Sequence, residues 1–120
     1  MARLNMSSLI QAFPKTGAAL APTFTALTGS TGVQWSSTGR EVLAIINGAT
    51  ASNYTINYAP AYGGAVVTPI TAACPTSNTV PVFLGPFNSY FTQNDGNNDI
   101  YIDFSSVATV TVAVLQMPGV

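Results

Sequence analysis

The chain has 120 residues, enough for one domain, and only 6% of them are charged, with a net charge of −1 and no histidine. Three cations cannot supply a nucleic-acid footprint, and without histidine neither a Ser-His-Asp nor a Cys-His catalytic arrangement can be built. An ordinary soluble domain has about 25% charged residues, so the surface of this chain must instead consist largely of Thr, Ser, Asn, Ala and Gly. We expect neighbouring molecules to cover much of this surface, and the alternative is a neutral monomer that works at low concentration.

The first 22 residues show no clean strand pattern, and we interpret residues 1–22 as an extended arm before a single domain, residues 23–120. Polar residues interrupt the start of the chain, so no export signal is expected. The longest aliphatic run, Val42–Ile46, is far shorter than the ~20 residues that a spanning helix needs, so no membrane partner is expected. Cys74 is the lone cysteine, which excludes an internal disulfide and suits a reducing cytoplasm.

From residue 23 onward, short segments rich in Thr, Val, Ile, Tyr and Phe alternate with Gly, Pro, Asn and Ser clusters. The candidate strands are Thr23–Leu27, Val33–Trp35, Glu41–Ile46, Asn53–Tyr58, Ala65–Ala73, Thr79–Leu84, Ile100–Phe104 and Thr109–Gln116. No segment between them is long enough for a crossover helix. The sequence therefore predicts an all-β fold, a β-sandwich of jelly-roll or immunoglobulin-like type.

Local patterns predict how some of these strands lie. The apolar run Glu41–Ile46 favours burial on both faces, and Asn47-Gly48 after it is typical of a tight turn with positive φ. Because proline cannot donate a ladder hydrogen bond, Pro69 and Pro81 favour strands that lie at the edge of a sheet or are interrupted.

The stretch from Asn94 to Asp103 holds three of the four acidic residues. It lacks the Gly and Glu spacing of a calcium loop, so a hairpin connection is favoured over a looser oxygen site. Asp99 and Asp103 are expected on one side of the following strand, facing solvent or a neighbour. We expect no catalytic residue, no metal site and no cofactor.

Five aromatic residues could in principle form a platform on which sugar rings stack. They are Trp35, Tyr54, Tyr58, Tyr62 and Tyr90. Most are better interpreted as core or cross-strand partners. Tyr62, in the loop of residues 58–64, is the one that we expect to be exposed.

Four short motifs made of turn and strand residues occur in a fixed order over residues 38–117. The motifs are Thr38–Leu43 with Asn47-Gly48, Leu84–Phe87, Asn94–Gly96 with Ile100–Phe104, and Val110–Leu115. Together they resemble a family of small head proteins encoded beside the major capsid gene in tailed bacteriophages. The family pattern has charged residues between the Asn47-Gly48 turn and the Leu84–Phe87 motif, whereas residues 59–84 here have none.

The resemblance implies a virion structural protein, a capsid decoration or cement protein that binds and stabilises the assembled phage head. It implies the major capsid protein as a partner, a homo-oligomer with a trimer favoured, and a place on the capsid surface after assembly in the host cytoplasm. The arm would then dock on the capsid or on a neighbouring subunit through Leu9, Ile10, Phe13 and Leu20, with Tyr62 as a further interface candidate.

Two alternatives to this function stay open. A head-tail adaptor or tail component would form a ring or a stacked tube. A carbohydrate-binding or host-surface module would depend on Tyr62 or Trp35.

Overall fold

The computed structural model describes residues 3–57, 70–76, 79–87, 91–93 and 98–118, and these form an all-β fold. The strands are β1 Leu4–Asn5, β2 Gln11–Ala12, β3 Thr25–Ala26, β4 Gly32–Ser36, β5 Glu41–Asn47, β6 Ser52–Ile56, β7 Ile70–Cys74, β8 Val82–Leu84, β9 Asp99–Phe104 and β10 Val110–Gln116. A short 3-10 helix, Ser7–Leu9, separates β1 from β2. Within these ranges, no helix has the length and apolar character needed to cross a membrane.

The strands form two mixed sheets that pack face to face, which confirms the predicted β-sandwich. Sheet A has the order β1-β4-β9-β6-β7, and sheet B has the order β2-β10-β5-β8, with β3 also pairing with β10. The predicted edge positions are confirmed for the described parts of both proline-containing segments, because β7 and β8 each end a sheet.

The antiparallel pairs are nested along the chain. Strand β3 pairs with β10, β4 with β9, β5 with β8, and β6 with β7. Two of these pairs belong to each sheet, so the chain passes repeatedly between the sheets instead of completing one sheet before the next.

The core lies between the sheets and is made from every second residue of the central strands. Sheet A contributes Val33, Trp35, Ile100 and Ile102, all with no exposed surface. Sheet B contributes Leu43, Ile45, Val112 and Val114, which are equally buried. The period-two pattern of the sequence is therefore the pattern of burial. The predicted burial of β5 on both faces is confirmed at Ala44, which is inaccessible on the outer face, whereas Val42 and Ile46 on that face are partly buried.

Residues 1–22, which the sequence predicts as an extended arm without a clean strand pattern, contain β1 and β2, and these place part of the segment in the two sheets. Strand β1 pairs in parallel with β4, and β2 pairs in parallel with β10. Between them Met6 is 1% exposed and belongs to the core cluster. The segment thus crosses from one sheet to the other and closes that side of the sandwich.

The tight turn predicted at Asn47-Gly48 is wrong. Neither residue has positive φ, and β5 and β6, which flank the turn, belong to different sheets. Asn47 is instead 1% exposed, its amide nitrogen donates to the Thr50 carbonyl over 2.9 Å, and its amide oxygen accepts from the Thr109 hydroxyl over 2.7 Å. These hydrogen bonds fix the point where the chain changes sheets.

Candidate binding surface

The acidic stretch does not gather its described carboxylates into one site. Asp99 is 5% exposed, so the expectation that it faces solvent or a neighbour is wrong. Asp95 lies outside the described residues, but Thr92 and Ile100 on either side of the connection pair antiparallel, as a hairpin requires. The described residues contain no group of three or more metal-ligating side chains.

Asp103 is half-exposed on the outer side of sheet A and is held by Arg3. The guanidinium donates from Nε to Oδ1 and from Nη2 to Oδ2, both over 2.7 Å. The Arg3 Cζ atom also lies 4.2 Å from the centre of the Tyr101 ring, within range of a cation–π contact. Asn57 donates a further hydrogen bond to Oδ2 over 3.1 Å. This carboxylate therefore fastens the N-terminal segment to sheet A.

Glu41 is a buried acid with donors around both of its carboxylate oxygens. The Thr38 backbone N–H donates to Oε1 over 2.6 Å, the Thr38 hydroxyl donates to Oε2, and Gln116 donates to Oε2 over 2.8 Å. Burial raises the pKa of Glu41, but hydrogen bonds from Thr38, Gln116 and Ser37 outweigh it, and the pKa lies below its ordinary value. An acid held in its charged form by neutral donors is a structural group and not a proton donor at neutral pH.

The aromatic residues that the structure describes do not form a platform. Trp35 has no exposed surface, and its ring packs against Phe87 at 5.8 Å between centroids. Phe87 in turn meets Phe91 edge-on at 5.4 Å. Tyr54 is partly buried against the same core, which confirms its predicted core role. Tyr58, Tyr62 and Tyr90 lie outside the described residues.

The four arm residues predicted as anchors lie in three different places. Ile10 packs against the main core, while Phe13 and Leu20 pack on the outer face of sheet B. Leu9 is 44% exposed. Three of the four are thus already occupied within their own chain, and their role in binding a neighbour stays a prediction.

The outer face of sheet B is apolar. Ala44, Ala113 and Leu115 lie on this face and are buried beneath Phe13, Leu20 and Phe24 of the N-terminal segment. Gln11 holds the two ends of this cover together, because its side-chain amide donates to the Thr23 carbonyl and accepts from the Thr23 N–H, both over 2.8 Å.

The cover is incomplete on the side of β8. Phe83 pairs in register with Ala44 and therefore shares its outward direction, yet Phe83 is 58% exposed. Val80, just before the strand, is 64% exposed. A groove of about 490 Å³ runs between the cover and this edge. Its lining consists of Phe13, Leu20, Pro22, Phe24, Ala44, Ile46, Thr79, Pro81, Phe83 and Leu115.

The exposure of Phe83 and Val80 was not predicted from the sequence, although the sequence contains part of the pattern that indicates it. Pro81 indicated an edge strand, and the alternation of Val82, Phe83 and Leu84 places Phe83 opposite its two neighbours. What the sequence did not indicate is which of the two faces would lie against the other sheet.

Charged groups are almost absent from the described surface. Glu41 and Asp99 are buried, Arg3 is paired with Asp103, and the Arg40 guanidinium donates to the Met117 carbonyl over 3.0 Å. Among the described charged residues, Lys15 alone is classed as exposed. Among the charged residues that the structure describes, those on the surface are therefore mostly paired or partly covered.

No protein-family model matches this chain, and comparison with curated proteins and with solved structures found no similar protein.

Proposed function

We propose that this chain is a virion structural protein, a decoration or cement protein that binds an assembled phage capsid and stabilises it as a homo-oligomer. The observation that carries the proposal is the nearly uncharged surface. Proteins that stay apart in solution carry more charge on their surfaces than the described residues do here, and such a surface is suited to being covered.

The nested strand pairs give a second line of support. Eight strands, β3 to β10, lie in two sheets with the orders β4-β9-β6-β7 and β3-β10-β5-β8. This order favours the jelly-roll alternative over the immunoglobulin-like one, and jelly rolls are common in viral capsid proteins. The topology alone does not decide the function, because lectin domains use it too.

The sugar-binding alternative loses one of its two residues. Trp35 is fully buried between the sheets and cannot stack on a sugar ring without opening the core. The position of Tyr62 lies outside the described residues.

Co-sedimentation tests the proposed function. The purified protein is mixed with assembled capsids that lack it, the capsids are pelleted, and the bound protein is measured against its concentration. We expect saturable binding that changes little with added salt, since few charges are available for screening. We also expect the loaded capsids to resist heating better than bare ones. Absence of the protein from the pellet at all concentrations would contradict the proposal.

A further inference from the structure

The two outer faces of the sandwich differ in chemistry. Sheet A presents Gln34, Asn53, Thr55 and Asp103 on its outer side, as is usual where an antiparallel sheet meets water. Sheet B presents Ala44, Ile46, Ala113, Leu115 and Phe83 on its outer side. Its cover of Phe13, Leu20 and Phe24 reaches only part of this face. The remainder is a patch that we name the β8 face, made of Ile46, Thr79, Pro81 and Phe83.

We propose that the β8 face and the groove beside it bind a second copy of this chain. The inference rests on the proposed function only in that both expect a homo-oligomer, and it is tested without capsids. It adds the surface through which the copies meet.

The uncharged lining of the groove indicates which kind of partner binds there. None of the ten residues that line the groove is charged. A charged side chain of a partner would lose its hydration in this groove without gaining an ion pair, and this loss would weaken binding. Unrelated soluble proteins carry many charged side chains on their surfaces. A second copy carries few, because among the described residues only Lys15 is fully exposed, while the partly exposed Arg3, Asp103 and Arg40 are already paired within the chain.

The shape of the β8 face also favours a second copy, because this face holds both a protruding group and a recess. Phe83 projects from the edge strand β8 with 58% of its surface exposed, and the groove of about 490 Å³ lies directly beside it. Copies that meet through this face can each offer an aromatic ring to the groove of the other. Buried aromatic groups at the centre of a contact contribute most of the binding energy in typical interfaces.

Sedimentation equilibrium of the isolated protein over a wide concentration range tests the proposal. The variants Phe83→Asp and Thr79→Asp place a carboxylate on the β8 face, and Ile70→Asp is the matched control, with a parent residue that is 40% exposed at the edge of the other sheet. We expect the wild-type protein to associate, and Phe83→Asp to raise the dissociation constant by roughly tenfold or more. Thr79→Asp should act in the same direction, and the control should leave the constant unchanged. Circular dichroism and Tm verify that each variant is folded.

Two results would overturn the proposal. One is a wild-type protein that stays monomeric at every concentration, and the other is association that neither Phe83→Asp nor Thr79→Asp weakens. If the monomeric protein still pelleted with capsids and Phe83→Asp abolished that binding, the occupant would be the capsid protein. The self-association proposal would then fail while the proposed function survived.

Discussion

Glu41 and Gln116 face each other at one end of the β5–β10 ladder, where the last registered pair joins their backbones. The carboxylate therefore joins the end of β10 to the start of β5 and, through Thr38, to the turn before β5. Because neutral donors satisfy the charge, its effect on stability depends on pH in a way that can be measured. The folded protein has the lower pKa, so folding favours the ionised form.

Glu41→Gln should lower the free energy of unfolding by about 1–3 kcal/mol at neutral pH, since the amide offers its nitrogen to groups that are themselves donors. The stabilisation from the carboxylate is complete above the unfolded pKa, near the ordinary value of 4.5, and is lost as pH falls through the lowered folded value. The difference between the two proteins should therefore shrink in acid. Urea unfolding at pH 7 and at about pH 3 measures it.

Asp103→Asn is the control for this experiment, because Asp103 is a half-exposed acid in a salt bridge. Its loss should cost no more than about 1 kcal/mol, since solvent screens an exposed pair. A Glu41→Gln difference that stayed constant from neutral to acidic pH would contradict the predicted role of the carboxylate.

Gly32 occupies a position where no side chain fits. A Cβ atom there would lie 2.2 Å from the Ile102 carbonyl oxygen and 2.7 Å from the Asp103 Cα, both backbone atoms of the neighbouring strand. Gly32→Ala should therefore force β4 and β9 apart and lower the free energy of unfolding by about 1–3 kcal/mol or more. Ser36→Ala, at an exposed position of the same strand, is the comparison and should change stability much less. Thermal unfolding followed by circular dichroism distinguishes the two, and equal Tm values would contradict the steric argument.

At the scale of elements, the N-terminal segment is held by its side chains more than by its two short strands. Strands β1 and β2 contribute two residues each, whereas Met6 fills the core between the sheets. We expect Met6→Ala to lower the free energy of unfolding by about 2–5 kcal/mol, the usual range for truncating a buried side chain. Leu9→Ala, only a few residues away but 44% exposed, should have a small effect. Equal effects from the two variants would mean that the segment does not take part in the cooperative fold.

The sequence predicted the strands but not the short pairings of the arm. In Thr109–Gln116, alternating valines directly indicate the buried face, and the structure has β10 there. Nothing comparable marks Leu4–Asn5 or Gln11–Ala12, because a two-residue strand is too short for a period-two pattern. Their pairing comes from tertiary packing alone.

The candidate site was predictable in the same uneven way. Trp35 and Tyr54 were expected in the core and lie there. Asp99 was expected outside, since alternation with Ile100 indicates its side of the strand, but alternation carries no information on what else packs over that side. The Asn47-Gly48 dipeptide has the residue types of a hairpin turn, and the side-chain hydrogen bonds to Thr50 and Thr109 override that preference.

At the scale of the whole molecule, the nested pairs join residues that are distant in sequence. Thr25 pairs with Val112, and Gly32 pairs with Asp103. Closing such long loops precedes the contacts that stabilise them, so folding should be slow for a chain of this size. We expect refolding in milliseconds to seconds, the range typical of sandwiches. Stopped-flow fluorescence of Trp35, the single tryptophan, measures the rate, and refolding within microseconds would contradict the dependence on topology.

The direction of the two N-terminal strands has a mechanical consequence. Strand β2 runs parallel to β10, with Gln11 opposite Leu115 and Ala12 opposite Gln116. Tension that pulls the two ends of the chain apart draws these strands in opposite directions along their common axis. The hydrogen bonds between them are then loaded in shear and resist together, whereas in a pair peeled open from one end they would break one after another. The parallel pairing therefore gives the chain resistance to a pull on its two ends.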